Sequence, residues 1–414
     1  MPSASKKLPG VLMLLLSALG ILFSLFIAAA VVFSLRYQLS SPNLSVEQIS
    51  LVTSGALALL VGLLLFPALI LALRSLRRKT SLVRYPSFFK AASIAGLAWL
   101  AMIAAGILAL PMRVAWFISV SISLLAVAVP VWWLVEFSRR GLPRSTPFRE
   151  WGTLAIGLSA APLLIMVIEI AIVAAIALVL LVVFISRPDF FAQLQITIKQ
   201  FEMFQGGIEQ LELLIVQLSR NPVIASALFL MIGVLTPLVE ELFKPMALWF
   251  LLKRPLKESE GFTLGLISGG AFTLLESGGL VSQITPETWV QAIVLRAATG
   301  LLHIGLSGFV GYQLVRNWNQ KRFGHAILNM IFAAALHGAW NSLALVNGFS
   351  TAGAAAASAA EFQPSLVNFL SIAGMLAVFG FILYLILRIN TTLRKLEPTA
   401  PVDSASAESA ASSE

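Results

Sequence analysis

Long apolar runs alternate with short polar or basic stretches along almost the whole chain. The runs fall at roughly 11–34, 49–73, 91–111, 114–136, 151–186, 223–253, 262–284, 289–316, 325–347 and 365–388. About 20 apolar residues suffice to cross a bilayer as a helix, so the pattern predicts an all-α, polytopic membrane protein of about ten transmembrane helices. Two runs carry marks of interruption. The fifth is long enough to hide a break, and the sixth contains Pro237 and Pro245, which remove backbone donors from a helix. The first run is too long for the ~7–15-residue apolar core of a signal peptide and reads as a retained span.

Composition agrees with that reading. Of the 414 residues, 58% are hydrophobic and 11% charged, against about 25% charged in an ordinary soluble domain, and the mean hydropathy is +0.92. There is no cysteine, which excludes disulfides and thiolate metal ligands. The net charge of +9 raises the question of nucleic acid, but the basic residues collect in alternate loops, as membrane topology requires. With the amino terminus inside, the inner loops are 74–90 (Arg74, Arg77, Arg78, Lys79, Arg84, Lys90), 137–150 (Arg139, Arg140, Arg144, Arg149), 253–261 (Lys253, Arg254, Lys257) and 317–324 (Lys321, Arg322). The outer loops 36–48, 285–288 and 348–364 carry Arg36 and no other Lys or Arg. Both termini are therefore expected in the cytoplasm, with no nucleic-acid partner.

Five regions follow. Residues 1–150 form an amino-terminal four-helix membrane region, and 151–222 a long fifth span plus an extracytoplasmic segment. In that segment Phe190–Gln205 and Ile208–Leu218 flank Gly206-Gly207 and read as amphipathic helices. Residues 223–347 are the polar-rich membrane core, 348–396 an outer loop and the last span, and 397–414 an Ala/Ser/Pro/Glu-rich disordered tail.

The core is where the chemistry concentrates. An ionisable group costs about 2.5–3.5 kcal/mol at a bilayer centre on insertion scales, so such groups usually mark function. Four consecutive spans carry them. The sixth holds Glu240 and Glu241 in Thr236-Pro-Leu-Val-Glu-Glu-Leu-Phe-Lys-Pro245, with Lys244 four residues after Glu240. Helical spacing puts that pair on one face. The seventh carries Gly261, Gly265 and Gly269 at intervals of four, a stripe that lets another helix pack closely. It also carries Glu276, one turn from Phe272 and with no opposite charge close in sequence. The eighth has Arg296 and His303 seven apart on one face, among Gly300, Gly305, Gly308 and Gly311. The ninth has His337, Trp340 and Asn341, the histidine and asparagine one turn apart.

Two chemistries suit the set. Glu241, Glu276, His303 and His337 could hold a divalent metal such as Zn²⁺, whose ligands are typically imidazoles and carboxylates with one position open to water. Without metal, a glutamate would take a proton from water while His and Asn steady the developing oxyanion.

In order, these blocks resemble the PrsW family of membrane peptidases, itself similar to the wider CPBP group that includes CAAX prenyl proteases. The family's Glu-Glu-x-x-Lys is matched by Glu240-Glu241-Leu242-Phe243-Lys244, and its Phe-Ala-x-x-Glu-Asn by Phe272-Thr-Leu-Leu-Glu276-Ser277. Arg296, His303, Gly308 and Gly311 match its Arg and glycine-flanked His helix, and His337-Gly-Ala-Trp340-Asn341 its His-x-x-Trp-Asn. Two positions depart: Ser277 stands for Asn and Thr273 for Ala. The resemblance implies intramembrane hydrolysis of a peptide bond in a membrane-anchored protein, in a bacterial plasma membrane. It casts Glu240, Glu241, Glu276, His303, His337 and Asn341 as the catalytic set, supported by Lys244, Phe272, Arg296 and Trp340. Two other classes use the same residues differently. A non-catalytic scaffold would use them as structural glue, and a proton-coupled transporter as a relay, with Glu169, alone in the fifth span, as the only candidate partner in the first half. The first half shows no copy of the polar cluster, as inverted-repeat transporters often do. Oligomeric state is not encoded in any of these features.

Overall fold

The computed structural model describes residues 7–37, 44–77, 87–109, 116–186, 221–281, 288–357 and 365–397, with three isolated positions between 191 and 200. Most of the expected amphipathic segment, loop residues 78–86 and tail residues 398–414 lie outside them. The described residues are helical with no strand, and ten helical stretches are long and apolar enough to cross a membrane. In order they are α1 (Leu8–Leu35), α2 (Val46–Leu76), α3 (Phe89–Ala109), α4 (Trp116–Ser138), α5 (Pro147–Leu158), α6 (Ala160–Ile185), α7 (Pro222–Leu230), a π-helical turn (Met231–Leu235), α8 (Thr236–Phe243), α9 (Met246–Leu251), α10 (Glu258–Val281), α11 (Trp289–Asn319), α12 (Phe323–Ala357) and α13 (Leu366–Leu396). The fifth stretch comprises α5 and α6, and the sixth runs from α7 to α9.

Both interrupted spans break where backbone donors run out. Between α5 and α6, Ser159 leaves helical geometry (φ −131°, ψ −77°) and its hydroxyl turns back to Ala155 O at 2.6 Å. Pro162 follows in the first turn of α6, where a helix needs no N–H. In the sixth span α8 stops at Phe243, because Pro245 cannot continue the helix and disfavours the helical region for Lys244 before it.

The chain divides into two compact units. The first comprises Met1–Pro162, Lys244–Ala326 and Ile382–Glu414. Its interior is the pair α10 and α11, the two spans most enclosed by protein, with 78% and 72% of their most apolar windows buried. Their mean hydropathies, 1.4 and 1.6, are low for spans; surrounding protein lets such sequences sit at membrane depth. The glycine stripe sets their antiparallel register. A Cβ on Gly261, Gly265 or Gly269 would lie 2.5, 2.2 or 2.5 Å from the carbonyl oxygens of Gly311, Ser307 and His303. Each step of four along α10 thus matches a step of four back along α11. Elsewhere in this unit Gly157 of α5 packs on Ala271, and Trp289 fits over Gly106 while donating to Ser123 Oγ at 3.0 Å.

The second unit comprises Leu163–Phe243 and Ile327–Phe381. Within it the π turn meets α12 at two glycines: a Cβ on Gly338 would be 2.0 Å from Gly233 O. Gly374 of α13 accommodates Leu343, and the buried Asn368 amide bonds Asn347 and Ser365.

Candidate functional site

The sequence-predicted residues gather into two largely buried groups, one in each unit. In the first unit the α10–α11 register accounts for the arrangement. Seven residues beyond Gly269 stands Glu276; seven before His303, the residue that Gly269 faces, stands Arg296. The same seam that packs the glycines therefore brings this carboxylate to this guanidinium. Glu276 Oε2 lies 2.7 Å from Arg296 Nη2 and 2.8 Å from His303 Nε2. The opposite charge that Glu276 lacks nearby in sequence is thus supplied by the neighbouring helix.

His303 is clasped from its other side by Lys244, whose ammonium is 2.8 Å from Nδ1. A protonated lysine only donates and a carboxylate only accepts. His303 therefore accepts at Nδ1 from Lys244 and turns Nε2 toward the Glu276 carboxylate. Lys244 is 1% exposed, and its ammonium also stands 4.4 Å from the centre of the Phe272 ring. That ring in turn meets His303 edge-on at 5.3 Å. Phe272 thus stabilises the buried cation and walls in the imidazole.

Both departures from the family pattern find partners here. Ser277 Oγ accepts from Arg296 Nε at 3.0 Å, aligning the guanidinium with Glu276. Thr273 turns its hydroxyl to Gly269 O at 2.8 Å and packs its methyl on Gly300.

In the second unit Glu240 and Glu241 come from α8 and His337 from α12. Glu241 Oε1 lies 3.1 Å from His337 Nδ1, and Glu240 Oε2 lies 3.8 Å from Nε2. Glu241 is within hydrogen-bonding distance of the ring; Glu240 is not. Nδ1–H donating to Glu241 orients the ring and turns Nε2 to the side of Glu240. Glu240, Glu241, His303 and His337 are 6%, 1%, 1% and 1% exposed, and each offers one metal-ligating atom.

Asn341 makes a main-chain contact that its motif does not announce. Thr236 N–H reaches back to Met231 O, in π register, so the next acceptor, Ile232 O, would need a donor from Pro237. Proline has none. The amide of Asn341 supplies it, donating to Ile232 O at 3.2 Å. Asn341 thus holds the bent backbone that carries the two acids, and Gly338 leaves room for Gly233 O alongside. Trp340 is buried, 4% exposed.

Two contributors escape a reading of the sequence. Ser268 donates its hydroxyl to Lys244 O, anchoring the turn in which the lysine sits. The acceptor that Asn341 serves is a main-chain carbonyl, which no side-chain pattern announces. The position of Pro237 was the available signal for an unpaired acceptor.

No curated protein and no solved structure matches the chain. A family model does, that of the PrsW family intramembrane metalloprotease, over residues 151–375. That stretch spans both polar groups and more than half of the 414 residues, and the chain belongs to the PrsW family of intramembrane metalloproteases.

Proposed function

We propose that this membrane-embedded peptidase cleaves membrane-anchored protein substrates with a divalent metal, Zn²⁺ being the ion its donor chemistry suits. The observation that carries the reading is the pair of carboxylates on opposite sides of His337. Donor atoms sharing one tetrahedral ion at ~2.0–2.1 Å bonds stand about 3.3 Å apart. The 3.8 Å between Glu240 Oε2 and His337 Nε2 is too long for a hydrogen bond and close to that spacing. The 3.1 Å bond from Nδ1 to Glu241 matches the carboxylate partner that ligating histidines usually have. Glu240 and His337 would hold the ion. When bound, such an ion lowers the pKa of water and polarises a carbonyl.

The chain's own residues do the rest of the work in this reading. Glu241 orients His337, and its carboxylate takes a proton from the attacking water and returns it to the leaving amine. Lys244, the cation of the Glu-Glu-x-x-Lys block, holds His303 by donating to its Nδ1. Arg296 and Glu276 position His303, while Asn341 positions the acids through Ile232 O. Substrate enters laterally after local unwinding, since carbonyls in an intact helix are already hydrogen-bonded. The basic inner loops support a cytoplasmic placement of both termini, and the similarity of the four motif blocks supports a relationship to the CPBP group.

Metal content of the purified protein tests the ligand set. Wild type should retain close to one equivalent of transition metal, His337→Ala should lose it, and Asn341→Ala should keep it. Equal metal in the wild type and His337→Ala would remove His337 from the ligands.

A further inference from the structure

The arginines at the ends of α4 and α13 are not alike. Most have acids. Arg139 pairs with Glu136 and lies 3.2 Å from Glu150, Arg144 pairs with Glu136, and Arg149 lies 2.7 Å from Glu260. Arg140 and Arg394 differ: among the described residues neither forms an ion pair with a carboxylate.

The two are brought together by design of the backbone. Asn390 docks α13 on the end of α4 by donating to Ser138 O at 2.9 Å and Arg140 O at 3.0 Å. The next residue, Gly141, adopts φ +70°, open to glycine at little cost. Its missing side chain makes room for Arg394, whose Nε would lie 2.9 Å from a Cβ at that position. Any other residue would push the second guanidinium away. Burial, and after it the charge of Arg394, pull Arg140 below its ordinary value. An arginine does not respond by losing its proton, so the pair is a standing excess of positive charge that an anion would relieve.

An apolar strip leads to the pair from the membrane side. Along one face of α4, Trp133 and Phe137 stack at 5.1 Å, and the Arg140 guanidinium lies 4.1 Å from the Phe137 ring centre. Both aromatic residues are partly exposed. A free phosphate has no use for such a strip; a lipid acyl chain does.

We propose that Arg140 and Arg394 form a binding site for the phosphate of an anionic phospholipid, whose acyl chain lies along Phe137 and Trp133. Basic pockets between helices at a membrane surface are the expected place for such head groups. The site lies in the first unit and is separate from the residues assigned to peptide hydrolysis.

The test is retention of phosphatidylglycerol against phosphatidylcholine by the purified full-length protein in detergent, read by native mass spectrometry. Wild type should prefer phosphatidylglycerol. Each arginine near a membrane surface contributes about fivefold, so Arg140→Gln with Arg394→Gln should lower the preference about 25-fold. Arg394 is exposed, so Arg394→Gln alone keeps the fold and should cost about fivefold even where the double variant does not purify. Arg388→Gln, an exposed position on the same helix, should change nothing. An unchanged preference in the arginine variants, or an equal loss with Arg388→Gln, would overturn the site. Displacement of the lipid by millimolar inorganic phosphate would identify a phosphate site and overturn the lipid assignment.

Discussion

Alanine at Gly265 tests whether the glycine seam sets the geometry around His303. The new Cβ would meet Ser307 O at 2.2 Å, Ser307 C at 2.9 Å and Gly308 Cα at 3.0 Å. All three are backbone atoms and none can rotate aside. Carbon–oxygen contacts normally stay beyond about 3.3 Å, so α10 and α11 would separate locally by about 1 Å. Overpacking of this kind costs about 1–3 kcal/mol, partly offset by the ~1 kcal/mol that alanine gains over glycine within a helix. Gly279→Ala, on the same helix with nothing within 4 Å of its Cβ, isolates the seam because it carries only the gain. The two variants should therefore differ by about 1–3 kcal/mol in stability, with Gly265→Ala melting below wild type or near it and Gly279→Ala at or above it. Separation would also lengthen the 2.7 and 2.8 Å contacts of Glu276 with Arg296 and His303. Breaking a buried ion pair costs about 3–5 kcal/mol and loosening it a part of that, so peptide cleavage by Gly265→Ala should fall about tenfold or more. Thermal melting in detergent and cleavage of a membrane-anchored reporter provide the two readings. Equal melting and equal cleavage in the two variants would refute the argument.

Two other changes probe individual contacts. Asn341→Ala leaves Ile232 O without its donor, a cost of about 1–3 kcal/mol; melting should fall accordingly and cleavage with it, while bound metal persists. Ser277→Ala removes the acceptor for Arg296 Nε and should lower cleavage, whereas Ser277→Asn, which restores an amide oxygen there, should keep most of it; similar activities would show that Ser277 does not align Arg296.

Much of this was legible because burying charge in a membrane is costly and therefore informative. Ten apolar runs gave the ten spans, and Pro237, Pro245 and the length of the fifth run marked where spans break. The stripe Gly261, Gly265 and Gly269 announced close packing, and the seven-residue intervals from Gly269 to Glu276 and Arg296 to His303 already contained the register that joins them. What the sequence did not show is tertiary. The helix ends at Phe243, and the contact of Lys244 with His303, 59 residues on, has no signal in the linear pattern. The contact of Asn341 has no signal in its motif because the partner is a main-chain carbonyl freed by a proline on another helix. The units also interleave along the chain, so the division falls inside α6, α12 and α13, where the linear pattern has no break.

The central claim, that Glu240 and Glu241 serve peptide-bond hydrolysis in the membrane, is tested most directly by mapping new protein amino termini. Membranes holding wild type are compared with membranes holding Glu240→Gln, Glu241→Gln protein at equal abundance. The account predicts termini within or beside substrate spans in the wild-type membranes that are missing from those of the double variant. The same termini in both, with both proteins folded, would contradict it.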